Sequence, residues 1–122
     1  MSQESPIRIL IVDDNVDTLN LLVKKFASNG FDVTTATSGH IAFELASSKP
    51  FDVVLSDVQM PNGNGVELLK RLIEPEQKLP VFLFTGGLNF NRQFALALGA
   101  KELFRKPVNA IQLIEEIKAS LK

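Results

Sequence analysis

Ile7-Arg8-Ile9-Leu10-Ile11-Val12 runs straight into Asp13-Asp14-Asn15, and the amphipathic stretch Val16, Leu19, Val23, Phe26 follows, stopped by Gly30. An almost continuous apolar run of this length fits a parallel strand buried on both faces, and it is too short to cross a bilayer. Apolar residues at helical spacing, ended by glycine, fit the helix that would return the chain over that strand.

The same alternation continues along the chain. Further strand-like runs are Asp32–Ala36, Val53–Ser56, Val81–Phe84 and Glu102–Phe104. Between and after them lie Ala42, Leu45 and Ala46, ended by Pro50; then Val66, Leu69, Leu72 and Ile73, ended near Pro75. Next come Phe90, Phe94, Ala97 and Leu98 with Gly99 as stop, and finally Ile111, Ile114, Ile117 and Leu121. The order βαβαβαβαβα predicts a doubly wound α/β fold, a parallel sheet with helices on both faces and right-handed crossovers. Residues 1–122 are expected to form a single domain, since no repeat, linker or low-complexity segment interrupts the pattern.

Composition narrows the function classes. With 45% apolar and 22% charged residues the chain can build an ordinary core. A formal net charge of −1 gives no footprint for nucleic acid or an anionic membrane. The absence of cysteine removes disulfides, thiolate metal sites and a cysteine nucleophile. Met1–Pro6 lacks the basic flank and apolar run of a signal peptide, so a soluble cytoplasmic domain is expected.

The chemistry-bearing residues fall after the strands: Asp13 and Asp14 after the first, Asp57 after the third, Thr85 after the fourth, and Lys106-Pro107 after the fifth. In an open α/β sheet, ligands bind at the carboxyl ends of the strands. Singly, each residue has an ordinary explanation. Asp14 can cap the first helix; Asp57 can shape a turn beside Pro61-Asn62-Gly63; Thr85 can sit in a glycine loop. Lys106 can be a surface lysine, and Pro107 can start a helix. His40 is expected to be exposed near the start of the second helix, without a role.

Together they demand more. Two carboxylates about 5 Å apart at an effective dielectric near 20 repel by roughly 3 kcal/mol. Lys106 offsets one charge, and a hard divalent ion held by oxygen ligands would offset two more; Mg²⁺ suits such a site. A metal, a lysine and a hydroxyl can hold the oxygens of a transferring phosphoryl group while a carboxylate attacks in line. Aspartate is a competent nucleophile for this, and Asp57, on the middle of the five runs, is the best placed.

Four motifs in this order resemble the receiver domain of two-component response regulators. Ile9-Leu10-Ile11-Val12-Asp13-Asp14-Asn15 is similar to the family's acidic opening motif, and Asp57-Val58-Gln59-Met60-Pro61 with Gly63 and Gly65 to its phosphoacceptor motif. Thr85-Gly86 and Lys106-Pro107 match the remaining two positions, so the resemblance spans essentially the whole chain. It implies five helices around a sheet of order 2-1-3-4-5, a flavodoxin-like topology. It further implies that Asp57 takes a phosphoryl group from a histidine kinase or histidine phosphotransfer protein, assisted by Thr85 and Lys106. Mg²⁺, or Mn²⁺ in its place, would be held by Asp13, Asp14, Asp57 and the backbone carbonyl of Gln59. The Lys106-Pro107 bond would be cis. Output would pass to a downstream protein through the fourth helix, fifth strand and fifth helix, where Leu96 is expected to be exposed. The state would be a monomer or a phosphorylation-dependent dimer, with no direct contact to nucleic acid or membrane.

This sequence departs from the family at Leu103, where many members carry Tyr or Phe; alternation along the strand would turn the adjacent Phe104 to the other face. The family's Thr-plus-aromatic switch is therefore not expected in its usual form. Gly87 is expected to leave the site without side-chain cover, giving easy water access and a short-lived phosphoryl state. Three other readings compete. A flavodoxin-type flavin site would need a phosphate-cradling loop where Asp13-Asp14-Asn15 stands. A haloacid-dehalogenase-type phosphatase would need an acid two residues after its nucleophile, and neither Gln59 nor Asn15 is one. A receiver-like protein-binding module that is not phosphorylated is the third.

Overall fold

The computed structural model describes residues 6–60, 64–74, 79–87 and 90–121. The elements, in order, are β1 Ile7–Val12, α1 Val16–Ala27, β2 Phe31–Ala36, α2 Gly39–Ser48, β3 Val53–Asp57, α3 Gly65–Leu72, β4 Val81–Thr85, α4 Arg92–Leu98, β5 Glu102–Arg105 and α5 Ala110–Ser120. All strand pairs are parallel, in the order β2-β1-β3-β4-β5. Among the described residues no helix is long and apolar enough to cross a membrane.

Strand alternation divides the core into two layers. Leu10, Val12, Val54, Leu83 and Leu103 face one side and pack with Ala42 and Ala46 of α2, Leu68, Leu69 and Leu72 of α3, and Ala95 of α4. Ile9, Ile11, Val53, Leu55, Phe82 and Phe84 face the other side, against Leu19, Leu22 and Phe26 of α1 and Leu113, Ile114 and Ile117 of α5. Every residue of β3 and β4 is buried, as expected of strands covered on both faces.

Each helix starts on a short polar side chain that accepts the N–H three residues on. Asn15, Ser38, Asn64, Asn91 and Asn109 serve Thr18, Ile41, Glu67, Phe94 and Gln112. Such caps satisfy donors that the helix itself leaves unpaired. Gly99 closes α4 at φ +112°, a left-handed conformation that favours glycine.

Four details differ from the readings the sequence offered. The cap of α1 is Asn15, so Asp14 does not serve there, and α5 begins at Ala110, so Pro107 does not start it. β2 begins at Phe31, while β3, β4 and β5 run on to Asp57, Thr85 and Arg105, so two site residues are the last of their strands. The stripe foreseen on the fourth helix is also misplaced. Capping by Asn91 leaves Phe90 outside α4, and Ala95 is the fully buried residue; Leu96 is half-buried, whereas Phe94 is 52% exposed. The turn at Pro61-Asn62-Gly63 and the stop near Pro75 lie outside the described residues.

Candidate functional site

The carboxyl ends of β1, β3, β4 and β5 bring Asp13, Asp14, Asp57, Thr85 and Lys106 to one edge of the sheet. Asp57 ends the central strand, with Phe84 of β4 as its register partner. Its backbone is closely confined. Ser56 Oγ donates to the Asp57 carbonyl at 2.9 Å, and the Gly65 N–H donates to the Val58 carbonyl at 3.0 Å. A Cβ on Gly65 would come within 2.2 Å of the Asp57 carbonyl oxygen. Glycine at this helix start is therefore what lets α3 approach the back of Asp57.

Oxygens of Asp13, Asp14 and Asp57 lie within 4.8 Å of one another. Asp13 is wholly buried and Asp57 is 6% exposed, whereas Asp14 faces solvent. Asp13 Oδ1 accepts the Asn15 N–H at 2.9 Å, so the α1 cap residue also fixes this carboxylate. Lys106 Nζ donates to Asp13 Oδ2 at 3.1 Å and to Asp57 Oδ2 at 3.3 Å, and stands 5.0 Å from the Phe84 ring centroid. The Lys106-Pro107 peptide bond is cis. Among the described residues no buried side-chain nitrogen or oxygen lacks a partner.

Burial raises the pKa of Asp57, and the charge of Asp13 raises it further. The Lys106 charge and hydrogen bond, with the Gln59 N–H, oppose the rise without cancelling it. Burial would lower the Lys106 ammonium, but the hydrogen bonds and charges of Asp13 and Asp57 outweigh it and its pKa is raised. Three carboxylates against this ammonium leave a surplus of negative charge, aimed at one point from hard oxygen donors.

Thr85 is 1% exposed, and its Oγ1 accepts the Gly87 N–H at 2.9 Å. Gly87 brings no side chain of its own to this edge, and polar neighbours stand where one would extend. A Cβ there would lie 3.3 Å from Gln59 Nε2, so the Gln59 amide stands beside it. His40 is exposed at the start of α2, as expected. Leu103 faces the α2, α3 and α4 layer and Phe104 the opposite one, where its ring stacks on Phe82 with centroids 6.2 Å apart.

Sequence reasoning missed Ser56, Asn15 as cap, and Arg105. The signal for Asn15 was present, since Asn immediately before an amphipathic run is a start signal. Ser56 and Arg105 carry none.

Comparison with known proteins agrees with this geometry. The response regulator receiver domain family matches residues 9–118. The chain is 38% identical over 116 residues to the transcriptional regulatory protein CpxR homolog of Haemophilus influenzae, covering 94% of this chain and 50% of that protein. It is 30% identical over 116 residues to the alkaline phosphatase synthesis transcriptional regulatory protein PhoP of Bacillus subtilis, covering 94% and 48% respectively. The chain thus spans about half the length of these curated relatives. The chemotaxis response regulator CheY4 of Vibrio cholerae superposes with a TM-score of 0.84 at 28% identity, over 93% of this chain and 98% of that one. A CheY-like receiver domain protein of Methanospirillum hungatei gives 0.88 at 30% identity, over 96% and 94%.

Proposed function

The chain belongs to the response regulator receiver domain family, and from that premise we propose that Asp57 accepts a phosphoryl group beside a divalent ion. The observation that carries this reading is the meeting of Asp13, Asp14 and Asp57 at one point, with Lys106 reaching two of them. The donor set fits a hard cation: oxygen ligands, two buried and one open to solvent, with a net negative charge left over. Mg²⁺, or Mn²⁺ in its place, would be held by the carboxylates of Asp13, Asp14 and Asp57 and by the backbone carbonyl of Gln59. When bound it supplies positive charge to the oxygens of the transferring group.

This chain's own residues do the rest. A carboxylate oxygen of Asp57 attacks phosphorus and forms a new O–P bond. The bond from phosphorus to the donor breaks in line, and its electron pair leaves with the donor. Lys106, already within reach of Asp57, pairs with one phosphoryl oxygen. Thr85 turns its hydroxyl to donate to another. In the return reaction, water attacks phosphorus, and the O–P bond breaks to regenerate the carboxylate and release phosphate.

The donor would be a histidine kinase or histidine phosphotransfer protein and the reader a downstream protein, with residues 1–122 acting as one receiver domain in the cytoplasm. Titration with Mg²⁺ and then fluoroberyllate, which mimics an acyl phosphate on a carboxylate, tests the site. Wild type should bind fluoroberyllate only when Mg²⁺ is present, and Asp57→Asn should not bind it. A folded wild type that binds neither would favour the receiver-like binding module.

A further inference from the structure

Arg105 ends β5, opposite Thr85 in the ladder and next to Lys106 in sequence. The Lys106 N–H donates to the Thr85 carbonyl at 2.8 Å, and its side chain reaches into the carboxylate cluster. The Arg105 guanidinium instead holds the backbone that follows Thr85: Nη1 donates to the Gly87 carbonyl at 2.7 Å and Nη2 to the Phe90 carbonyl at 2.6 Å. The charged donor makes both bonds stronger than neutral ones. Residue 87 is therefore held from both sides, its N–H by Thr85 Oγ1 and its carbonyl by Arg105. Having no side chain, Gly87 has no further anchor of its own.

We propose that Arg105 is the positioning residue for Thr85: by gripping the Gly87 carbonyl it keeps the Gly87 N–H on the Thr85 hydroxyl and restrains that hydroxyl from turning to the phosphoryl group. The inference rests on the role of Thr85 stated above. It gives the chain a resting-state restraint that depends on an arginine, at the end of the strand that carries Leu103 in place of an aromatic residue. When Arg105 lets go, residue 87 moves more freely and the cost of turning Thr85 falls. The population competent to bind a phosphoryl group then rises, and the apparent affinity rises with it.

The test compares wild type, Arg105→Ala, Arg105→Gln, Thr85→Ala and Arg105→Ala/Thr85→Ala. Mg²⁺ affinity and Mg²⁺-dependent fluoroberyllate affinity are both followed by NMR. Arg105→Ala should keep Mg²⁺ affinity within about twofold of wild type and bind fluoroberyllate roughly 3- to 10-fold more tightly, the scale of one or two lost hydrogen bonds to an exposed charged group. In the metal-free state its Thr85 and Gly87 resonances should move towards their fluoroberyllate-bound positions. The gain should vanish in the Thr85→Ala background, which a general loosening of the fold would not produce. Unchanged or weaker fluoroberyllate binding in Arg105→Ala, or a gain that survives Thr85→Ala, overturns the proposal. Should Arg105→Ala not fold, Arg105→Gln decides by the same criteria. A wild type that binds no fluoroberyllate removes the phosphoacceptor reading and this inference together, whereas a binding wild type with an unresponsive Arg105 removes only the inference.

Discussion

At the scale of single residues, Asp57 occupies a position that penalises its own charge. Burial and the charge of Asp13 raise its pKa against the opposition of Lys106. A group whose folded pKa exceeds its unfolded value contributes stability that is complete below the unfolded value and lost as pH rises through the folded one. In metal-free protein at neutral pH the ionised carboxylate is therefore a cost. Asp57→Asn removes it and should stabilise by about 1–2 kcal/mol, less than the roughly 3 kcal/mol of an unscreened pair because Lys106 already offsets part. Calorimetry should show a higher Tm for the variant without metal, and a gap that narrows on adding Mg²⁺, since the wild type gains more from the ion. A lower Tm for metal-free Asp57→Asn would contradict this electrostatic account. Gly87 bears on lifetime at the same scale. With the Gln59 amide and the Thr85 hydroxyl beside it, Gly87→Leu should shield the phosphoryl group and slow its hydrolysis about threefold by excluding water. A phosphoryl lifetime unchanged or shortened in that variant would show that position 87 does not control water.

Within and between elements, the tightest constraint is where α3 meets β3. A Cβ at Gly65 would collide with the Asp57 carbonyl at 2.2 Å, and the obstacle is backbone that no side-chain rotation relieves. Gly65→Ala should lower stability by more than about 2 kcal/mol and displace Asp57 enough to depress phosphoryl acceptance. Asn109→Ala, which removes only the α5 cap, should cost about 1 kcal/mol and leave acceptance intact. Denaturant unfolding together with acetyl phosphate labelling separates the two, and equal effects on labelling would refute the constraint at Gly65. Element type and order were legible because apolar runs and helical stripes alternate so regularly. Positions that depend on capping were harder to read. Once Asn91 caps α4, Phe90 drops out of the helix and Phe94 turns outward, which a search for apolar spacing alone does not reveal.

Across the whole molecule, one sheet carries a core on each face, so the two layers are joined by shared strands. Ion pairs link the sheet's parts at its margins. Arg8 holds Asp52 with a bidentate contact between the starts of β1 and β3, and Arg92 of α4 pairs with Glu102 of β5. The Arg8 hydrogen bond lowers the pKa of Asp52, and the Arg92 hydrogen bond lowers that of Glu102, burial opposing both. Their contributions are present above the unfolded pKa values and lost as pH falls through the folded ones, the opposite sense to Asp57. A melting series should therefore show wild type more stable than Arg92→Gln at neutral pH and converging with it in acid as Glu102 protonates; a difference independent of pH would argue against the pair. At this scale the site was readable from the sequence because strand ends must converge in a parallel α/β sheet, which makes Asp13, Asp57, Thr85 and Lys106 neighbours by topology. The grip of Arg105 on the chain after Thr85 was not, because an arginine beside a lysine reads as surface charge until its two carbonyl partners are seen.

The most direct test of the central claim is the intact mass of wild type and Asp57→Asn after acetyl phosphate, with Mg²⁺ or with a chelator. The account predicts one added phosphoryl group in wild type with Mg²⁺ and none in the other three samples. Labelling of Asp57→Asn equal to wild type, or labelling of wild type that ignores the chelator, would contradict it.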